Sequence, residues 1–164
     1  MTDKTPLWYA LRVKPRQEKT TAFLLEQRGY ESFLPSYRAT RRWSDRIKQL
    51  ELALFPGYLF CRFDRDHRSP ILATPGVDHI VGVGRTPAAV ADPEIAALQA
   101  IVASGVFAQP WPYLRVGETV RIGLGPLAGL EGLLAELKGA HRVVVSVSLL
   151  QRSVAVEVDA GWIC

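Results

Sequence analysis

Cysteine is scarce in this 164-residue chain. The two present, Cys61 and Cys164, lie far apart, one inside an apolar run and one at the last position. That leaves no disulfide framework and fits a reducing cytosol. Long apolar runs are missing too. None approaches the ~18 residues that a membrane span needs, and the opening MTDKTPLWYALRVKPRQ has no stretch of signal-peptide type. The expectation is a soluble, cytoplasmic protein. Histidine is limited to His67, His79 and His141, none spaced with Cys, Asp or Glu as metal ligands are. No GxSxG, HExxH or phosphate-loop pattern occurs. Gly82-Val83-Gly84 lacks the third glycine and following helix of a dinucleotide fingerprint and reads as a turn. No catalytic residue, metal or cofactor is therefore expected; the chain reads as a binding protein, not an enzyme.

What is present is an ordinary globular composition, 48% apolar and 22% charged. The charge is uneven. Residues 1–110 hold 15 of the 20 basic and 11 of the 16 acidic side chains, whereas residues 111–164 are neutral. This asymmetry predicts two units, the first better suited to a polyanion or an acidic partner.

Residues 7–13, LWYALRV, predict a strand, and residues 16–28 a helix opened by Pro15 and stopped at Gly29. Its apolar stripe is expected along Thr20, Phe23, Leu24 and Gln27. Residues 30–37 start extended, and Pro35 limits that strand. In 52–63, Phe55-Pro56-Gly57-Tyr58 interrupts an apolar run that resumes as a strand to Phe63. A charged turn (64–70), a short helix in 71–77 stopped before Pro75 and Gly76, and a short strand (79–83) follow. Asp92-Pro93 caps a helix whose stripe is Ile95, Leu98, Ile101 and Val102. Together these predict a small α/β layer with a mostly antiparallel sheet. Residues 106–114, with Pro110 and Pro112, read as a linker. Beyond it, strands at 119–122, 130–137, 142–148 and 153–158 suggest a small β-barrel.

Residues 38–50 stand apart. Arg38, Arg41, Arg42, Arg46 and Lys48 face one acid, Asp45, with Trp43 among them. They form either a solvated hairpin tip or a basic loop lying along phosphates, with an aromatic able to stack.

Four segments carry a resemblance. Trp8-Tyr9-Ala10-Leu11-Arg12-Val13 resembles the first strand of the NusG N-terminal (NGN) domain, and Leu54-Phe55-Pro56-Gly57-Tyr58-Leu59-Phe60 its FPGYL segment. Thr74-Pro75-Gly76-Val77 with Ile80-Val81-Gly82 is similar to its TPGV…VG segment, and Val116–Ile122 with Gly125–Gly132 resembles a KOW motif. The resemblance implies an α+β fold: an NGN domain at 5–108 whose mostly antiparallel sheet is flanked by helices, a linker at 109–112, and an SH3-like KOW barrel at 113–164.

It further implies a monomeric, non-enzymatic transcription elongation factor, associated with the nucleoid through transcription complexes. Such a factor binds the β′ clamp helices and β gate loop of bacterial RNA polymerase, reduces pausing and promotes antitermination. Matched by motif, exposed aromatics around a greasy cavity would meet the polymerase through Trp8, Arg12, Phe55, Pro56, Tyr58 and Phe60. His67, Arg68 and Ser69 stand where RfaH-type members carry a gate-loop HTT triplet. The basic loop (Arg38, Arg41, Arg42, Trp43, Arg46, Lys48) stands where members approach upstream or non-template DNA. Ser148-Leu149-Leu150-Gln151-Arg152 replaces the SIFGR of general NusG, so the KOW partner surface at Leu149, Leu150 and Arg152 is apolar but differently shaped. That resembles the specialised RfaH, LoaP and UpxY-type paralogs, which serve particular operons. Rho or a NusE-type ribosomal protein would be the KOW partner. The alternatives are a KOW-type RNA-binding or ribosome-associated module, and a housekeeping NusG that assists Rho.

Overall fold

A computed structural model describes residues 6–114, 116–137 and 139–164; the expected first residue of the N-terminal domain, residue 5, lies outside them. The elements in chain order are β1 (Leu7–Val13), α1 (Glu18–Gln27), β2 (Glu31–Phe33), β3 (Ser36–Trp43), β4 (Arg46–Ala53), β5 (Tyr58–Phe63), α2 (Ser69–Leu72), β6 (Val77–Ile80), β7 (Gly82–Val83), β8 (Thr86–Pro87), α3 (Asp92–Ser104), β9 (Ala108–Trp111), β10 (Thr119–Arg121), β11 (Glu131–Leu137), β12 (Ala140–Val147) and β13 (Arg152–Val158). They form two compact units, residues 1–35 with 55–92, and residues 36–54 with 93–164. This division differs from the expected one at 108/113. The β3–β4 hairpin and α3 group with the C-terminal sheet, and the Glu94 carboxylate of α3 accepts from Ser148 N–H (3.1 Å) and Ser148 Oγ (3.0 Å).

The first unit is built on an antiparallel sheet in the order β2-β5-β1-β6. Side chains alternate along a strand. Tyr9, Leu11 and Val13 of β1 join Leu59, Cys61 and Phe63 of β5 on one face, packed with Leu25 of α1 and Ile71 of α2. Trp8, Ala10 and Arg12 point the other way, in register with Arg62, Phe60 and Tyr58. Burial on both faces explains why LWYALRV reads as a nearly continuous apolar run. The stripe of α1 lies one residue beyond the expected one. Thr21 and Leu25 are buried, and Phe23 is 59% exposed. Thr21 tolerates burial because its hydroxyl donates to Pro75 O at 3.3 Å. Helix α2 begins earlier than expected, with Pro70 in its first turn, where a missing N–H costs nothing.

In the second unit, β10-β11-β12-β13-β9 form one antiparallel sheet. Most of the expected linker at 109–112 is strand: Ala108–Trp111 pairs with β13 from Val156 to Ser153. Pro110 is tolerated because β9 is an edge strand, where a donor is dispensable. The chain end returns to the opposite edge. Ile163 bridges Ile122, Cys164 N–H donates to Arg121 O, and Gly123 N–H donates to Trp162 O. The sheet thereby curls into a small barrel, with Val143, Val145, Val147, Val154 and Val156 buried.

Candidate functional site

Two Pro-Gly turns meet at the end of β1. In Phe55-Pro56-Gly57-Tyr58, Tyr58 N–H donates to Phe55 O (3.0 Å) and Gly57 has φ +84°. In Thr74-Pro75-Gly76-Val77, Val77 N–H donates to Thr74 O (3.2 Å) and Gly76 has φ +95°. Proline followed by a glycine at positive φ is the type II signature. The turns then accept from consecutive amides of the same strand end: Val13 N–H to Gly57 O and Lys14 N–H to Gly76 O, each 2.9 Å. Two motifs distant in sequence thus hold one strand terminus.

Arg12 lies across this junction. Its guanidinium carbon is 4.8 Å from the Tyr58 ring centre. A Cβ on Gly57 would fall 2.5 Å from Arg12 Nη1, so glycine serves both the turn and the close approach of the arginine. Arg12 and Tyr58 are half-buried and Pro56 is exposed. These three, of the six expected polymerase-binding residues, present surface.

The other three do not, which corrects the expectation of exposed aromatics around a cavity. Trp8 is 7% exposed, Phe55 1% and Phe60 0%. Their rings form a chain with Phe33, edge to face for Trp8–Phe33 and Phe55–Phe60 and tilted by 30° for Phe33–Phe60. The centroid distances are 6.5 Å for Trp8–Phe33, 6.2 Å for Phe33–Phe60 and 5.7 Å for Phe55–Phe60. Such pairs each add about 0.5–1.5 kcal/mol beyond the area they bury. Phe33 was missed by sequence reasoning. Its signal was an aromatic in an extended segment, and its register partner is Phe60.

His67, Arg68 and Ser69 do come together at the entry to α2. Asp64 organises this turn: its carboxylate accepts from Asp66 N–H (3.0 Å) and lies 3.0 Å from His67 Nδ1. His67 and Ser69 are exposed. Arg68 is half-buried, its guanidinium donating to Arg65 O at 2.8 Å.

The basic segment is not a loop but a hairpin of two eight-residue strands, paired from Ser36↔Ala53 to Trp43↔Arg46. All six expected nucleic-acid-binding residues are exposed on it, Trp43 to 46%. The guanidinium of Arg46 lies 5.3 Å, and the ammonium of Lys48 5.6 Å, from the Trp43 ring centre. In the second unit, Leu149 is half-buried and Arg152 exposed, but Leu150 is only 8% exposed. Leu150 therefore packs inward in the 3-10 turn Ser148–Leu150 instead of forming a partner surface.

Among the described residues no group of three or more His, Cys, Asp or Glu side chains gathers to hold a metal. No described helix is long and apolar enough to cross a membrane.

The family model described as transcription termination factor NusG matches residues 6–99. The chain is similar to the transcription termination/antitermination protein NusG of Helicobacter pylori, at 26% identity over 69% of this chain and 66% of that protein. Identity to the Deinococcus radiodurans protein of the same name is 32% over 65% of each chain. For the Pseudomonas aeruginosa protein it is 29%, over 82% of this chain and 79% of that one. The chain thus spans just under two thirds of the length of the first two relatives. The solved structure of Thermotoga maritima NusG shares the fold, with a TM-score of 0.60 at 20% identity over 96% of both chains.

Proposed function

Because this chain belongs to the NusG family, we propose that it is a non-enzymatic, cytoplasmic transcription elongation factor that docks on RNA polymerase through the Arg12–Tyr58–Pro56 surface. One observation carries the reading. A half-exposed cation–aromatic pair is held over a type II turn whose carbonyl is hydrogen-bonded to β1. A rigid aromatic and an arginine backed by a closed core have the composition of an interface anchor. Trp8, Phe33, Phe55 and Phe60 fix the shape of that surface from within.

In this reading residues 5–108 act as the NGN domain and residues 113–164 as the KOW domain, whatever their packing. The factor bridges the polymerase cleft, favours its closed state and so reduces pausing, a population shift. His67 and Ser69 face the gate loop, and the basic hairpin contacts exposed DNA. The departure at Ser148–Arg152 supports an operon-specific antitermination role over Rho assistance. With Leu150 internal, Leu149 and Arg152 remain as the KOW partner surface.

The test is retention of nuclease-treated core RNA polymerase on immobilised protein. Wild type should retain it, and a folded Tyr58→Ala variant should lose it. Equal retention by both overturns the docking surface. No retention by wild type, with tight binding of free RNA, favours an RNA-binding module.

A further inference from the structure

The pairing register of the β3–β4 hairpin sorts its charges by face. Residues two apart on a strand share a face, as do directly paired residues. Arg41↔Lys48 and Trp43↔Arg46 therefore lie together. On the opposite face lie Arg42↔Ile47 and Arg38↔Glu51. One face thus carries three cations around an aromatic and no acid. The other carries two cations, one of them opposite a carboxylate. The Trp43 contacts agree with this sorting, since Arg46 and Lys48 are the cations that reach its ring.

We propose that the Trp43 face of this hairpin binds an unpaired polynucleotide strand, with a base stacked on the Trp43–Arg46 pair and phosphates held by Arg41 and Lys48. The inference rests on the hairpin's reading as a nucleic-acid contact and adds which face acts and on what. Three features favour a single strand. Trp43 is 46% exposed, so its ring is available. A guanidinium over an indole forms a cation–aromatic pair against which a base of any identity can stack. Stacking on such a platform needs an unstacked base, which a duplex does not offer. Phosphate attraction alone would not distinguish the two faces beyond their charge count.

The experiment measures binding of labelled oligo(dT), oligo(U) and a duplex of the same length, each about twelve nucleotides, within the site size of such platforms. Two double variants remove equal charge: Arg41→Ala with Lys48→Ala, and Arg38→Ala with Arg42→Ala. Trp43→Ala and Trp43→Phe complete the set, with circular dichroism as the check on folding. The first double should lower the slope of log K against log salt for single strands by about 1.4, and the second should leave it nearly unchanged. Trp43→Ala should weaken single-strand binding about tenfold and duplex binding less than twofold, with Trp43→Phe retaining most of the affinity. Comparison of the oligo(dT) and oligo(U) arms identifies DNA or RNA as the preferred source. Equal effects of the two doubles, or no effect of Trp43→Ala, overturn the inference and leave the hairpin a general phosphate contact. Failure of the wild type to bind any probe at low salt overturns both readings.

Discussion

The guanidinium of Arg12 stacks on Tyr58, its cross-strand register partner, with 4.8 Å between the guanidinium carbon and the ring centre. Both residues are half-buried, whereas Phe60, two positions along the same face, is fully buried. This separates binding from folding. Arg12→Ala and Tyr58→Ala should each keep the urea midpoint near wild type while weakening polymerase binding at least tenfold. Phe60→Ala should cost about 3–5 kcal/mol of stability. Urea titration beside the retention assay distinguishes the two classes.

The two turn glycines should differ in response to alanine. At Gly57 the atoms nearest the added methyl are those of the movable end of Arg12. The cost is chiefly the positive φ, about 1–2 kcal/mol, and the displaced arginine should impair docking more than stability. At Gly76 the methyl would collide with Thr21 Oγ1, a fully buried group. Strain and overpacking add there, for about 2–4 kcal/mol. Gly76→Ala is thus expected to be the less stable protein and Gly57→Ala the poorer binder.

Burial pushes the Cys61 thiol up to about 12 and also raises the Tyr9 hydroxyl, with Arg65 acting against the latter. Both groups stay neutral when folded, while the unfolded chain releases the thiol proton near pH 9. The unfolded state therefore binds fewer protons above that pH, and stability should fall as pH rises from about 9 toward 12. A thiol-reactive dye at pH 8 should label the exposed Cys164 at once and Cys61 only in denaturant. Labelling of both thiols in the native protein would contradict the packing of the β1–β5 face.

Glu94 ties the first turn of α3 to Ser148 through both the backbone N–H and the hydroxyl. Because these bonds are exposed, Glu94→Ala should cost only about 1 kcal/mol. Ser148→Ala keeps the N–H bond and should cost less. Hydrogen exchange at the Ser148 amide should accelerate in the first variant and change little in the second.

Much of this architecture was legible in the sequence, and the misses have physical causes. Strands β1, β5, β12 and β13 are apolar on a buried face, so their patterns announce them. β9 carries Pro110 and is held by pairing to its neighbour, a tertiary effect that no local period encodes. The arms β3 and β4 are polar on both faces toward their tip, so nothing in their hydropathy marks two eight-residue strands. In the site, Pro56-Gly57 was readable as a break in an apolar run and Pro75-Gly76 as the stop of a short helix. Their convergence on the amides of Val13 and Lys14 was not, because it depends on sheet order. Hydropathy cannot say which of Phe55, Tyr58 and Phe60 faces solvent; Tyr58 and Phe60 share a face, and it is position along the strand, next to the turn or inside the sheet, that separates them.

The incorporation of Ala108–Trp111 into the C-terminal sheet sets where this chain can be cut. A fragment beginning after Pro112 would keep every residue of the recognisable KOW segment but would strip β13 of one of its two neighbours, β9. The main-chain donors and acceptors between Ser153 and Val156 that point toward β9 would then face water as an open template for another chain. Such a fragment should self-associate by strand addition, whereas one beginning before Phe107, whose carbonyl accepts from Glu157 N–H, keeps that edge closed.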